Sequence, residues 1–85
     1  MLRKQQFEIE TVRVPVKRVR TLEPARVEAL AEDMLENGQQ VPIRVRADPD
    51  RPGAFVLVEG LHRLEALRAL GETTVEGIVV QARVR

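Results

Sequence analysis

The sequence has no cysteine among its 85 residues, which excludes disulfides, thiolate metal sites and a cysteine nucleophile. It has only two aromatic residues, Phe7 and Phe55, so its core must be built mainly from Val, Leu, Ile and Ala. No apolar run is long enough to span a bilayer, and the first ten residues lack the apolar stretch of a signal peptide. We therefore expect a cytoplasmic protein with no membrane partner.

A strong excess of charge of either sign is also absent. The formal net charge is +1, which is too small to indicate nucleic-acid binding by electrostatics alone. Hydrophobic residues make up 44% of the chain and charged residues 32%, the balance of a globular protein. Because 85 residues suit one modest core, we predict a single domain over residues 1–85.

Residues 7–19 are rich in β-branched side chains that alternate with polar ones. The apolar phase shifts by one residue near Thr11, which predicts a bulge or two short strands. Pro15 cannot donate a hydrogen bond to a neighbouring strand, so an edge position is expected for this segment.

The rest of the chain alternates between helix and strand patterns. Pro24 indicates a helix start and Asn37-Gly38 its end. Two strand patterns, residues 41–46 and 54–58, flank a turn-rich segment at 48–53 and predict a hairpin. A second helix is predicted over residues 61–70 and a last strand within 74–84. The order β-α-β-β-α-β predicts an α+β fold with a mixed sheet and two main helices. The first helix has an apolar stripe made of Val27, Leu30, Ala31, Met34 and Leu35.

The turn between the predicted hairpin and the second helix is the best candidate site. A strand ends near Glu59, Gly60 turns the chain, and His62 and Arg63 lie in the first turn of the helix. A helix N-terminus offers unpaired N–H groups and the positive end of the helix dipole, where an anion binds well. Gly60 permits close approach of a ligand to the backbone, and arginine can bind phosphate through two parallel hydrogen bonds. The pattern predicts a phosphate-binding turn.

Arg63 falls within the apolar arc that Leu64, Leu67 and Leu70 define, with Ala66 at its border. Its guanidinium must therefore either turn back past the helix start or find a partner, which could be a bound phosphate or an internal carboxylate such as that of Glu59. No metal site is predicted, because the chain has one histidine and a metal site needs several ligands.

Two acidic residues, Glu59 and Glu65, lie nearest to this turn in sequence. Either could hold a magnesium ion that bridges phosphates, or act as a general base. Pairing with Arg63 or Arg68 is the simpler prediction for both.

Arginines also alternate along the predicted strands and could form one basic face of the sheet. This face is expected to be solvated, or to act as an electrostatic lip for a nucleotide or a nucleic-acid backbone. The arginines concerned are Arg44, Arg46, Arg83 and Arg85.

Three stretches, taken in this order, resemble the N-terminal domain of ParB proteins and the related sulfiredoxins. The first, residues 27–46, is a helix followed by Gly38, a Gln and the pair Pro42-Ile43 at the start of a strand. The second is the turn VEGLHR at 58–63, and the third is the Ala-rich helix LEALRALG at 64–71. The resemblance covers about residues 12–80.

The resemblance implies a nucleotide site. In ParB-like domains a Gly-Glu-Arg-Arg box binds nucleotide phosphates, and in sulfiredoxins a Gly-Cys-His-Arg turn binds the phosphates of ATP. The implied ligand here is a nucleoside triphosphate, ATP or CTP, with Mg²⁺. The positions that match the phosphate-binding turn are Gly60, Leu61, His62 and Arg63, and those expected near the same pocket are Gln39, Gln40, Pro42 and Arg44.

The chain also departs from both families. Leu61 stands where sulfiredoxins have their cysteine, so sulfinic acid reductase activity is not expected. Glu59 precedes Gly60, whereas the acidic residue of the ParB box follows its glycine. ParB proteins carry a helix-turn-helix domain and a dimerisation domain after this module, and these 85 residues include neither. Operator recognition of the ParB kind is therefore not expected.

Three functions are compatible with these observations. The first is a nucleotide- or phosphate-binding module, with NTP hydrolysis or phosphotransfer left open. The second is a DNA-associated protein, such as a plasmid partition or nuclease-like factor. The third is a structural module for protein interaction. A homodimer that buries a sheet edge is compatible with each.

Overall fold

Residues 3–81, which the computed structural model describes, contain five strands, three α-helices and one 3-10 turn. The predicted α+β class is confirmed. No helix among these residues is long and apolar enough to cross a membrane. The strands are β1 (Lys4–Glu8), β2 (Val12–Arg13), β3 (Ile43–Ala47), β4 (Phe55–Glu59) and β5 (Thr74–Val79). The helices are α1 (Val16–Val19), α2 (Pro24–Asn37) and α3 (Leu61–Ala69), and the 3-10 turn is Ile9–Thr11.

The five strands form one mixed sheet in the order β1-β5-β3-β4-β2. Strand β5 is antiparallel to β1 and parallel to β3, while β4 is antiparallel to β3 and parallel to β2. The predicted hairpin is therefore confirmed as β3 and β4. The two edge strands, β1 and β2, follow each other in the chain with only the 3-10 turn between them.

This connection requires the sheet to curl. Four strand spacings in a flat sheet separate the edges by about 19 Å, whereas the link from Glu8 to Val12 reaches about 14 Å at most. The curl brings Phe7 of β1 to Phe55 of β4, with ring centroids 4.8 Å apart in an edge-to-face arrangement. The two phenylalanines of the sequence thus pack against each other across the curled sheet.

The first segment was predicted as strand throughout, and this is wrong for its second half. Two short strands are present, as the phase shift at Thr11 predicts, but Val16–Val19 is helical. Pro15 precedes this helix with φ −57° and accepts hydrogen bonds from the N–H groups of Arg18 and Val19. A proline is well suited to such a helix start because its φ is already close to the helical value. The adjacent β2 is an edge strand, as expected.

The core lies between the sheet and the two longer helices. Ile43, Val45 and Val75 of the sheet pack in one buried cluster with Leu64 and Met34 of the helices. The remaining buried members of this cluster are Phe7, Ile9, Val12, Leu57, Leu61, Ala66 and Leu67.

Helix α2 begins at Pro24 and ends at Asn37, as predicted. Gly38 follows with φ 76°, and its N–H donates to the carbonyl of Met34. The predicted apolar stripe needs one correction, because Leu35 is 76% exposed. At about 100° per residue, Leu35 lies at the border of the stripe centred on Met34 and Val27, so the sheet does not cover it.

Candidate functional site

A polar cleft of about 390 Å³ lies where the N-termini of α2 and α3 meet. Its cationic side chains come from all three helices: Arg18 from α1, Arg26 from α2 and Arg63 from α3. Glu23 and Glu59 are the acidic residues of its wall. The other lining residues are Thr21, Leu30, Gly60, Leu61 and His62. The predicted turn therefore borders a real cavity.

Any residue other than glycine at position 60 would destabilise the turn. The backbone of Gly60 has φ 110° and ψ 30°, a conformation that only glycine adopts readily. A Cβ atom there would lie 2.7 Å from Cγ2 of Ile43 and 3.2 Å from its Cα. The absence of a side chain lets the turn pack directly on β3, and this contact sets where α3 begins.

The first turn of α3 carries donors for an anion. The first hydrogen bond of the helix runs from the N–H of Leu64 to the carbonyl of Gly60, at 2.9 Å. The N–H groups of Leu61, His62 and Arg63 precede it and so have no carbonyl partner within the helix. Within residues 3–81, no side chain caps this end of α3. The Leu61 side chain is buried in the core and anchors the turn.

The side chain of His62 contacts the N-terminus of α2. The backbone N–H of Glu23 donates to Nε2 of His62 at 3.0 Å. A ring nitrogen that accepts a hydrogen bond carries no proton, so this bond requires the tautomer with the proton on Nδ1. The N-termini of α2 and α3 are thus joined directly.

Arg18 and Arg26 were missed at the level of the sequence. Arg18 donates from Nη1 to the carbonyl of Val58 at 2.6 Å, which fixes α1 against the end of β4. It lies in the segment that the alternating pattern predicts as strand, so its position in the cleft could not be predicted from that pattern. Arg26 lies in the first turn of the correctly predicted α2, and the anion-binding argument applied to α3 could have found it.

Arg63 is half-buried in the wall of the cleft. Glu59 does not pair with it: the ion pair of that carboxylate is with Nε of Arg44, at 3.6 Å. Glu65 pairs with Arg68 at 3.3 Å, as the simpler prediction has it, and lies outside the cleft. None of the ion pairs within residues 3–81 involves Arg63. The predicted pairing of Arg63 with the carboxylate of Glu59 is therefore wrong.

Four residues expected near the pocket lie outside its lining: Gln39, Gln40, Pro42 and Arg44. Gln39 has a structural role instead. Its Oε1 accepts from the N–H of Glu76 at 2.8 Å, and its Nε2 donates to the carbonyls of Glu76 at 2.8 Å and Val41 at 2.9 Å. Gln39 thus bonds both backbone groups of Glu76 in β5, next to Gly77, where the pairing of β3 with β5 begins.

The arginines of β3 lie on the other face of the sheet from the core. Ile43 and Val45 are buried, whereas Arg44 is exposed and Arg46 half-buried. Arg83 and Arg85, predicted on the same face, lie outside the described residues.

Comparison with known proteins agrees with this architecture. The family model of the ParB N-terminal domain matches residues 3–85. The chain is 42% identical over 45 residues to a putative replication protein B from Rhizobium rhizogenes. That match covers 53% of this chain and 14% of the relative's length.

Two solved structures share the fold at 28% identity. The chromosome-partitioning protein ParB from Caulobacter crescentus, C-terminally truncated and complexed with CTP-gamma-S, aligns with a TM-score of 0.84 over 95% of this chain and 46% of its own. Sulfiredoxin from Arabidopsis thaliana aligns with a TM-score of 0.80 over 94% of this chain and 86% of its own. Since the family model matches residues 3–85, nearly the whole chain, the chain belongs to the ParB N-terminal domain family.

Proposed function

We propose that the cleft binds the phosphate groups of a nucleoside triphosphate. The observation that carries this proposal is the convergence of three arginines, Arg18, Arg26 and Arg63, on a cleft that is also bordered by two helix N-termini. Arginine side chains and helix N-termini both favour phosphate, and here they come from different elements of the fold.

The balance of charge within the cleft supports an anionic ligand. Of its two carboxylates, Glu59 is already paired with Arg44, which lies outside the lining. Arg63 has no carboxylate partner among the described residues and is half-buried, so a phosphate would supply the counter-charge that it lacks. The volume of about 390 Å³ is within the usual range for small-molecule sites. The ParB of Caulobacter crescentus, which holds CTP-gamma-S on the same fold, supports a triphosphate.

In this proposal the parts of the cleft have separate tasks. The N–H groups of Leu61, His62 and Arg63 donate to phosphate oxygens, and the guanidinium of Arg63 donates two further, parallel hydrogen bonds. Within residues 3–81 no cluster of three His, Asp or Glu side chains could hold a metal, so Mg²⁺ would be bound chiefly by phosphate oxygens and water, as it often is. A general base for hydrolysis would be Glu23 or Glu59, the two carboxylates of the cleft wall, because Glu65 lies outside the cleft.

Calorimetric titration of CTP, ATP and ADP tests the proposal, with Arg63→Ala as the variant. Arg68→Ala is the matched control, since Arg68 lies on the same helix and pairs with Glu65 outside the cleft. We expect Arg63→Ala to weaken nucleotide binding about tenfold or more, the usual effect of losing a hydrogen bond to a charged group, and Arg68→Ala to change it less than about twofold. Absence of binding by the wild-type protein at millimolar nucleotide would refute the proposal.

A second candidate, DNA binding, has one structural observation in its favour. The strand register places Arg13, Arg44 and Arg46 on the face of the sheet opposite the core. Arg13 pairs with Asp48 and Arg44 with Glu59, so much of this positive charge is already compensated. A gel-shift assay at low salt with Arg46→Ala tests this candidate, and loss of a salt-sensitive shift in the variant is the result expected of backbone contacts.

A further inference from the structure

We infer that His62 is a positioning residue, which holds the N-terminus of α2 against that of α3 as a neutral hydrogen-bond acceptor and does not act as a cationic phosphate contact. The inference rests on the proposed function of the cleft and assigns His62 a specific task within it. The alternative role for a histidine in the first turn of such a helix is to donate to phosphate as an imidazolium.

The contact that carries the inference is the bond from the N–H of Glu23 to Nε2 of His62, at 3.0 Å. Glu23 is the N-cap of α2, and the next residue, Pro24, has no N–H to donate. No side chain of Glu23 caps the helix. His62 therefore accepts from the N–H of the N-cap residue of α2. No side chain of the helix's own sequence caps this end.

This bond fixes the distance between two halves of the cleft. Helix α2 contributes Arg26 and its N-cap Glu23 to the lining, and α3 contributes Arg63 together with its free N–H groups. A ligand that contacts both halves needs them at a set separation, because each charge-assisted bond depends on a narrow range of distances. His62 acts on the phosphates through this separation.

Protonation would work against this arrangement. An imidazolium has N–H groups on both ring nitrogens and accepts no bond, so Nε2 would then face the N–H of Glu23 donor to donor. The charged groups that border the same cleft are Arg18 from α1, Glu23 and Arg26 from α2, Glu59 from β4 and Arg63 from α3. The positive ends of two helix dipoles add to the three arginines there. A protonated His62 should therefore loosen α2 from α3 and weaken nucleotide binding.

Two substitutions separate the acceptor role from the cationic role. In His62→Gln the side-chain carbonyl can accept from the N–H of Glu23, but there is no charge. In His62→Lys a positive charge is present, but there is no acceptor. We expect His62→Gln to bind CTP or ATP within about threefold of the wild type and His62→Lys to bind about tenfold or more weakly, the usual range for an unmet hydrogen bond. The reverse order, with Lys retaining affinity and Gln losing it, would overturn the inference.

A measurement without nucleotide separates the inference from the proposed function. In ¹⁵N NMR spectra of the free protein, we expect His62 as the Nδ1–H tautomer and a shift of the Glu23 amide signal in His62→Ala but not in Arg68→Ala. An Nε2–H tautomer at pH 8 would refute the positioning role even if the wild type binds nucleotide. If the Nδ1–H tautomer is found but no nucleotide binds, the proposed function fails and the link between α2 and α3 stands.

Discussion

Substitution of Gly60 by alanine tests whether the glycine turn is what places α3 and the proposed phosphate-binding turn at its start. Two separate costs arise at this position. The backbone conformation, with φ 110° and ψ 30°, costs a residue with a side chain about 1–3 kcal/mol. The new Cβ would also lie 2.7 Å from Cγ2 and 3.0 Å from Cβ of Ile43, well inside the contact distance of about 3.5–4.0 Å between carbons.

The second cost is that of overpacking, because Ile43 is fully buried and cannot move aside into solvent. Overpacking of a core costs about 1–3 kcal/mol, so Gly60→Ala should lower the free energy of unfolding by about 2–6 kcal/mol in all. For a domain of this size each kcal/mol lowers Tm by about 4–8 °C. Removal of Cγ2 in the background Ile43→Ala should reduce the cost of Gly60→Ala by about 1 kcal/mol.

Urea unfolding followed by circular dichroism measures these free energies, and Gly71→Ala is the matched control. Gly71 has φ 81°, but a Cβ atom there would meet no other atom within 4 Å, so this variant should lose only about 1–2 kcal/mol for the left-handed conformation. The reasoning fails if Gly60→Ala and Gly71→Ala cost the same within about 0.5 kcal/mol, since the contact with Ile43 would then contribute nothing.

Two further predictions concern residues outside the cleft. Gln39→Leu removes three hydrogen bonds to the backbone of Glu76 and Val41 and should lower the free energy of unfolding by about 2–4 kcal/mol, with faster amide exchange at Glu76; unchanged exchange there would contradict the role given to Gln39. The N–H of Asp50, which donates to Asp48 at 3.0 Å, holds the pKa of the Asp48 carboxyl below its ordinary value of 3.8, with help from Arg13 and against the effect of burial. Because the pKa is lowered on folding, this carboxylate stabilises the fold above about pH 4 and the contribution is lost as the pH falls below that value. Stability measured from pH 7 to pH 2.5 should therefore fall less steeply below pH 4 in Asp48→Asn than in the wild type, and parallel curves would refute this account.

Much of the fold could be predicted because it depends on local backbone chemistry. Pro24 begins α2 and Gly38 follows its end, since one lacks an N–H and the other adopts positive φ without cost. The turn residues at 48–53 lead to a hairpin because they reverse the chain between two alternating segments. The glycine turn that leads directly into α3, where we propose that phosphate binds, could be predicted for the same reason.

The sequence by itself therefore determined the two long helices, the hairpin and the glycine turn, while the tertiary structure decided which side chains meet there. Helix α1 has four residues, too few to be stable alone, and the bond from Arg18 to the carbonyl of Val58, forty positions away, holds it in place. The positions of Arg18 and Arg26 in the cleft, the bond between His62 and Glu23, and the structural role of Gln39 all depend on contacts between distant segments. Such contacts leave no periodic pattern in the sequence, because a hydrogen bond across the fold depends on the packing of whole elements and not on the spacing of residues along one of them.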